Sequence, residues 1–162
     1  MKTILVIGGC GSGKTWVMLQ LVKLYNLNLL GKVGMIRYHR NLALKGIKLL
    51  VTGIYDGSTF QGSDRLSMAI MTDLPRFLAY AEKDKFNIVC EGDRFTNSTF
   101  INTCKPIIIK ITDDGVKGRL LRGSTQTPRQ IQTIATRVNN IAATHTVKDS
   151  KQALKLITSL LK

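Results

Sequence analysis

The segment GGCGSGKT at residues 8–15, entered from the apolar run TILVI, restricts this chain more than any other stretch. It fits the pattern G-x-x-x-x-G-K-[ST], with Gly8, Gly13, Lys14 and Thr15 at the fixed positions. Such a loop works between a buried strand and a helix. Its glycines let backbone N–H groups turn inward around phosphate, and the helix adds the positive end of its dipole. Residues 3–8 read as that strand, and 14–25, with Val17, Leu21 and Leu24 at helical spacing, read as that helix. The segment Gly8, Gly9, Cys10, Gly11, Ser12, Gly13, Lys14, Thr15 and Trp16 is therefore expected to bind a nucleoside triphosphate, ATP first. Lys14 would reach the outer phosphates, and the Thr15 hydroxyl would bind Mg²⁺.

The remaining chain alternates strand and helix patterns. KVGMIRYH (32–39) and IKLLVTGIY (47–55) read as two strands around a turn at Gly46. Residues 65–83 read as helix, which Pro75 either interrupts or restarts. Residues 86–92 and 106–112 are strands, and 127–143 is a helix capped by Thr127 with Pro128 in its first turn. THTV reads as a short last strand, followed by an amphipathic helix over 149–162. This order predicts an α/β fold: a single domain over 1–162 with a mostly parallel sheet covered by helices on both faces. In such sheets the site lies at the carboxyl ends of the strands, here 8–15, 55–65, 91–95 and 113–122.

Charge is the second strong constraint. Twenty-four Lys and Arg face ten Asp and Glu, a net charge of +14. Residues 1–55 hold eight basic residues and no acid, and residues 115–148 hold six and no acid. An enzyme of small molecules does not need this excess; a protein lying along a polyphosphate does, because each cation near a phosphate releases a counterion. DNA is the expected partner. No apolar run can span a bilayer, so no membrane is expected. The start MKTILVIGGC resembles a lipoprotein signal, but its apolar stretch is too short, and cleavage at Cys10 would remove the phosphate loop. The odd count of three cysteines, Cys10, Cys90 and Cys104, without C-x-x-C, argues against disulfides or zinc and fits a reducing cytoplasm. Cys90, within an apolar run, reads as core. His39 and His145 lack metal-ligand spacing and read as structural or surface residues.

Three further stretches carry chemistry. In VCEGDRFTNSTF (89–100), Glu91 and Asp93 end a strand, where a carboxylate can hold Mg²⁺ through water or orient an attacking group; Arg94 can contact phosphate, or pair with Asp93 on the surface. In YDGSTFQGSDRLSM (55–68), Asp64 or its rival Asp56 can take the proton of an attacking hydroxyl, and Arg65 can neutralise acceptor charge. Tyr55 and Phe60 can stack on a base, and Ser63 or Asp64 can instead cap a helix beginning near Arg65. Residues 117–137 carry Lys117, Arg119, Arg122, Arg129 and Arg137; Arg119 and Arg122 share a helix face. A basic helical lid at about 114–137 that closes over the transferring group is expected.

The absence of N-K-x-D disfavours a switch GTPase, and the chain is short for a helicase or recombinase motor. The order of loop, strand-end acids, basic helical segment and closing helix resembles the P-loop nucleoside and nucleoside-monophosphate kinases over almost the whole chain. EGDRFTNSTF resembles the D-R element of the thymidylate kinase group. A closer resemblance, carried by GGCGSGKT, YDGSTFQGSDRLSM, EGDRF and RVNNI, is to the 5-hydroxymethyluracil DNA kinases of bacterial viruses. It implies transfer of the ATP γ-phosphate to the hydroxymethyl group of 5-hydroxymethyluracil in DNA, a step in thymidine hypermodification, in the cytoplasm of an infected host. Lys14, Asp64, Arg65, Glu91, Asp93, Arg94, Arg119 and Arg122 are the residues expected to serve that chemistry, with Thr15 and Glu91 on Mg²⁺. A kinase of free nucleosides or nucleoside monophosphates, and a nucleotide-gated DNA-binding ATPase, are the alternatives.

Overall fold

The computed structural model describes residues 1–41, 46–58, 61–121 and 123–162. Its centre is a seven-stranded sheet ordered β2-β3-β4-β5-β1-β6-β7. The strands are β1 (Thr3–Gly8), β2 (Leu29–Val33), β3 (Ile36–Arg40), β4 (Leu49–Thr52), β5 (Asn87–Glu91), β6 (Ile107–Ile111) and β7 (His145–Val147). From β4 to β7 neighbours run parallel; β2 and β3 form an antiparallel hairpin on the β4 edge. The helices are α1 (Lys14–Leu24), α2 (Leu74–Lys83), α3 (Ser98–Cys104), α4 (Val116–Leu121), α5 (Pro128–Asn139) and α6 (Ser150–Leu160).

Alternation along the strands divides the core in two. Leu5, Ile7, Leu50, Ile88 and Cys90 pack with Phe77 and Ala81 of α2, Phe100 of α3 and Val138 of α5. Ile4, Val6, Leu49, Val51, Val89 and Ile109 pack on the other face with Val17, Met18 and Leu21 of α1 and Ala153 and Ile157 of α6. Each of the central strands is thus buried on both sides, which is why it reads as a continuous apolar run. Cys90 is core, fully buried. Full burial of such side chains contributes about 1.5–3 kcal/mol each. Among the described residues no helix is long and apolar enough to cross a membrane.

Four sequence expectations change. KVGMIRYH is not one strand: it turns at Gly34 and Met35, so that Val33 pairs with Ile36. Gly34 has φ 56, and a side chain there would overlap the Asp73 carboxylate, which accepts the Met35 N–H at 2.8 Å. The strand expected at 47–55 shortens to Leu49–Thr52 because Gly53, at φ 120, leaves the pleat. Of the turn expected at Gly46, residues 42–45 lie outside the described residues. The helix expected from 65 breaks into 3₁₀ turns at Ser63–Arg65 and Ile70–Asp73, and α2 begins only at Leu74 with Pro75 in its first turn. Finally, α3 was not foreseen; Asn97 caps it by accepting the Phe100 N–H at 2.9 Å. The Thr127 cap and Pro128 start of α5 occur as expected, with a reciprocal capping box to Gln130, though the helix ends at Asn139.

Candidate active site

The phosphate loop lies at the carboxyl end of β1, between β5 and β6. Gly11 and Gly13 adopt φ 84 and 89, which only glycine takes without strain. Gly13 stands at the N-cap of α1, so the first helical N–H groups open toward the loop. Lys14 Nζ donates to the Gly8 and Gly9 carbonyls, 2.9 Å each, and so lies over the loop itself. The Ser12 hydroxyl is buried without a hydrogen-bond partner, as are those of Thr52 and Ser63. Trp16 is 38% exposed on α1.

Glu91 ends β5 beside the loop and is 4% exposed. Its Oε1 accepts from the Thr15 hydroxyl at 3.3 Å and from the Tyr55 hydroxyl at 3.2 Å. Burial raises the Glu91 carboxyl above the ordinary range, against the opposing pull of the Lys14 charge. The Thr15 hydroxyl and Glu91 carboxylate are a pair of hard oxygens, the donor chemistry that Mg²⁺ takes alongside substrate phosphates and water. Among the described residues no group of three or more His, Cys, Asp or Glu forms a metal cluster. Tyr55 is not a stacking platform. It is buried, its one hydroxyl proton is shared between Glu91 and the Thr52 carbonyl at 3.1 Å, and burial holds its phenol well above the usual value. Phe60, the other stacking candidate, lies outside the described residues.

Tyr55 and Gly62 both lie against Glu91. A side chain on Gly62 would come within 2.6 Å of Glu91 Oε1. Asp56 is committed elsewhere: it pairs with Arg65 and accepts from the Ser58 hydroxyl at 2.6 Å. These hydrogen bonds, first that of Ser58, pull its carboxyl far below the ordinary range. Asp64 is exposed and makes no hydrogen bond or ion pair among the described residues. Its charge is a minor contributor, after burial, to the raised values of Glu91 and Tyr55, and Asp64 follows two residues after Gly62, whose backbone lies against Glu91. Of the two candidate bases here, Asp64 is the available one. It lies in a 3₁₀ turn without a side-chain cap and does not cap a long helix.

Asp93 and Arg94 do not pair with each other. Asp93 pairs with Arg137 of α5 at 3.0 Å, and Arg94 Nε donates to the Leu66 carbonyl at 3.1 Å. A cavity of about 290 Å³ opens along α5 over this pair, lined by Thr127, Arg129, Gln130, Thr133 and Ile134 as well. A second cavity, about 360 Å³, runs from Gly9 and Cys10 past the end of β6 to Ile131, Ala135 and Val138 of α5.

Arg119 is placed by contacts that sequence reasoning missed. Its Nη1 donates to the Cys10 carbonyl at 2.7 Å and to the Asp114 carbonyl at 2.8 Å. Here α4 packs backbone to backbone on the phosphate loop. A side chain on Gly115 would overlap the Cys10 carbonyl oxygen, and one on Gly118 would overlap that of Gly11. Asp113 and Asp114 shape the approach by accepting the Gly115 and Val116 N–H groups at 2.7 and 3.0 Å. The recurrence of glycine at 115 and 118 is the signal that could have revealed this packing. Arg122 lies outside the described residues. His39 is structural: Nε2 accepts the Tyr55 N–H at 3.0 Å, and burial lowers its pKa.

Comparisons with family models, with curated proteins and with solved structures give no match.

Proposed function

We propose that this protein is a P-loop kinase that transfers the γ-phosphate of ATP to the hydroxymethyl group of 5-hydroxymethyluracil in DNA. The observation that carries the reading is the buried Glu91–Thr15 pair beside the phosphate loop, with Gly62 against Glu91 and the next turn, Ser63–Arg65, carrying Asp64, an exposed carboxylate without an ion pair among the described residues. The order of the five parallel strands, with the loop after the central one, also supports a nucleoside and nucleotide kinase-like fold. The net charge of +14 supports a polyanionic acceptor.

The loop N–H groups and Lys14 hold the phosphate chain and neutralise charge on the transferring group. Thr15 and Glu91 would hold Mg²⁺, which would add neutralisation of the outer phosphates. The hydroxymethyl oxygen attacks the γ-phosphorus, the bond from that phosphorus to the bridging oxygen breaks, and ADP leaves. The hydroxyl proton passes to the Asp64 carboxylate. The attacked group occupies the place of the thymine methyl in the major groove. Extrusion of the base costs a few kcal/mol, which cationic contacts to flanking phosphates offset. Arg119 braces the loop, and Arg129 and Arg137 face the acceptor side.

The test supplies γ-labelled ATP and Mg²⁺ with hydroxymethyluracil DNA, ordinary DNA, or free nucleosides and monophosphates, then digests and locates the label. Label on the modified base is expected. Label only on free nucleotides would replace this reading with that of a small-molecule kinase, for which the cavity beside Asp93 is large enough. Phosphate release alone would make the protein an ATPase.

A further inference from the structure

The β2–β3 hairpin carries an arrangement that folding alone does not favour. Lys32 and Arg37 are direct cross-strand partners, and both are exposed. Like charges directly opposite one another destabilise a sheet pair. No acid relieves them: the ion pairs among the described residues are Arg65–Asp56, Arg76–Asp73 and Arg137–Asp93, and none involves the hairpin. Asp73, the acid at the hairpin tip, already accepts the Met35 N–H and pairs with Arg76. A lone lysine on an edge strand can serve to block unwanted strand pairing. That role does not explain Arg37, because β3 is an interior strand between β2 and β4.

Position gives the pair a purpose. Tyr38 pairs with Thr52, the last residue of β4, so Arg37 lies just past the carboxyl end of that strand. Its carbonyl accepts the Gly53 N–H at 2.8 Å. Gly53 opens the segment that carries Asp64 and Arg65. The two cations therefore stand at the strand-end rim beside Gly53, where the segment leading to Asp64 begins.

We infer that Lys32 and Arg37 form a backbone-docking rail, each holding a phosphate of the nucleic-acid strand whose base enters the site. This rests on the reading that the acceptor is part of DNA. Two cations that each neutralise one phosphate contribute about 0.9 each to the slope of log affinity against log salt on duplex DNA, and about 0.7 each on single strands.

The test measures oligonucleotide binding by fluorescence anisotropy over a salt series, with the full chain and a Lys32→Gln/Arg37→Gln double variant. The rail predicts weaker binding at low salt and a slope shallower by about 1.4–1.8. A Lys32→Arg/Arg37→Lys exchange should keep the parent slope, and so should Lys83→Gln/Lys155→Gln, which removes two exposed cations away from this rim. Circular dichroism monitors folding of each variant. An unchanged slope in the Lys32/Arg37 variant, or only increased aggregation, overturns the rail and leaves the DNA reading standing. If the parent protein has no affinity for the oligonucleotide, both fall.

Discussion

Around the phosphate loop, Gly11 meets Gly115 and Gly118 through bare backbone, and the Cys10 carbonyl is held by Arg119. Across the site, single side-chain contacts do the holding: Asp56 is held by Arg65, Asp93 by Arg137 and the Tyr55 N–H by His39. The first region tolerates almost no change in shape, because a methyl group has nowhere to go. The second can be altered one contact at a time. On the proposed function, the first construction would hold the common phosphate donor and the second the particular acceptor.

Lys14, in the first region, should give the largest effect. Lys14→Ala should lower transfer to every acceptor by at least about 10³-fold, measured as initial rate with labelled ATP, since it removes the ammonium proposed to neutralise the phosphates. Substantial retained activity would mean that the loop is not the donor site. On the other side, Asp64→Asn should lower kcat by about 100-fold with little change in ATP binding, whereas Asp56→Asn should cost far less because its carboxylate is already engaged. Equal effects would reverse the choice of base.

Gly115→Ala sharpens the contrast in stability. Its φ is 72 and its new Cβ would overlap the Cys10 carbonyl, so a loss of about 2–4 kcal/mol is expected in urea unfolding. Arg137→Ala, by comparison, should cost under about 1 kcal/mol, as partly exposed ion pairs do, while raising KM for the acceptor.

The smallest effect concerns pH. Burial keeps His39 below the ordinary imidazole value, so between that lowered value and about 6.5 the unfolded chain binds the extra proton. Its contribution is complete above about pH 6.5 and falls as acid is added through that value, levelling once the folded ring protonates. Urea midpoints should therefore decline more steeply on mild acidification for the parent than for His39→Gln; identical pH profiles would remove the role given to the His39–Tyr55 bond.

The same contrast explains what could be read from residues alone. The phosphate loop, the central strands and the Thr127 cap depend on local pattern and on burial at both sheet faces, which leave a periodic trace. The hairpin turn at Gly34 depends on Asp73, thirty-nine residues later, and the partner of Asp93 is Arg137 rather than its neighbour Arg94. Such contacts leave no local pattern. Pro75 does start a separate helix, one of the two readings it allowed, whereas the stretch before it forms two 3₁₀ turns and ends at Asp73, which the hairpin engages.

The most direct measurement is the intact mass of an oligonucleotide holding one 5-hydroxymethyluracil, after incubation with the protein, ATP and Mg²⁺, beside a thymine-containing twin. A gain of one phosphoryl group on the modified strand and none on the thymine strand is expected. ADP accumulating while neither strand gains mass, or equal gain on both, would contradict it.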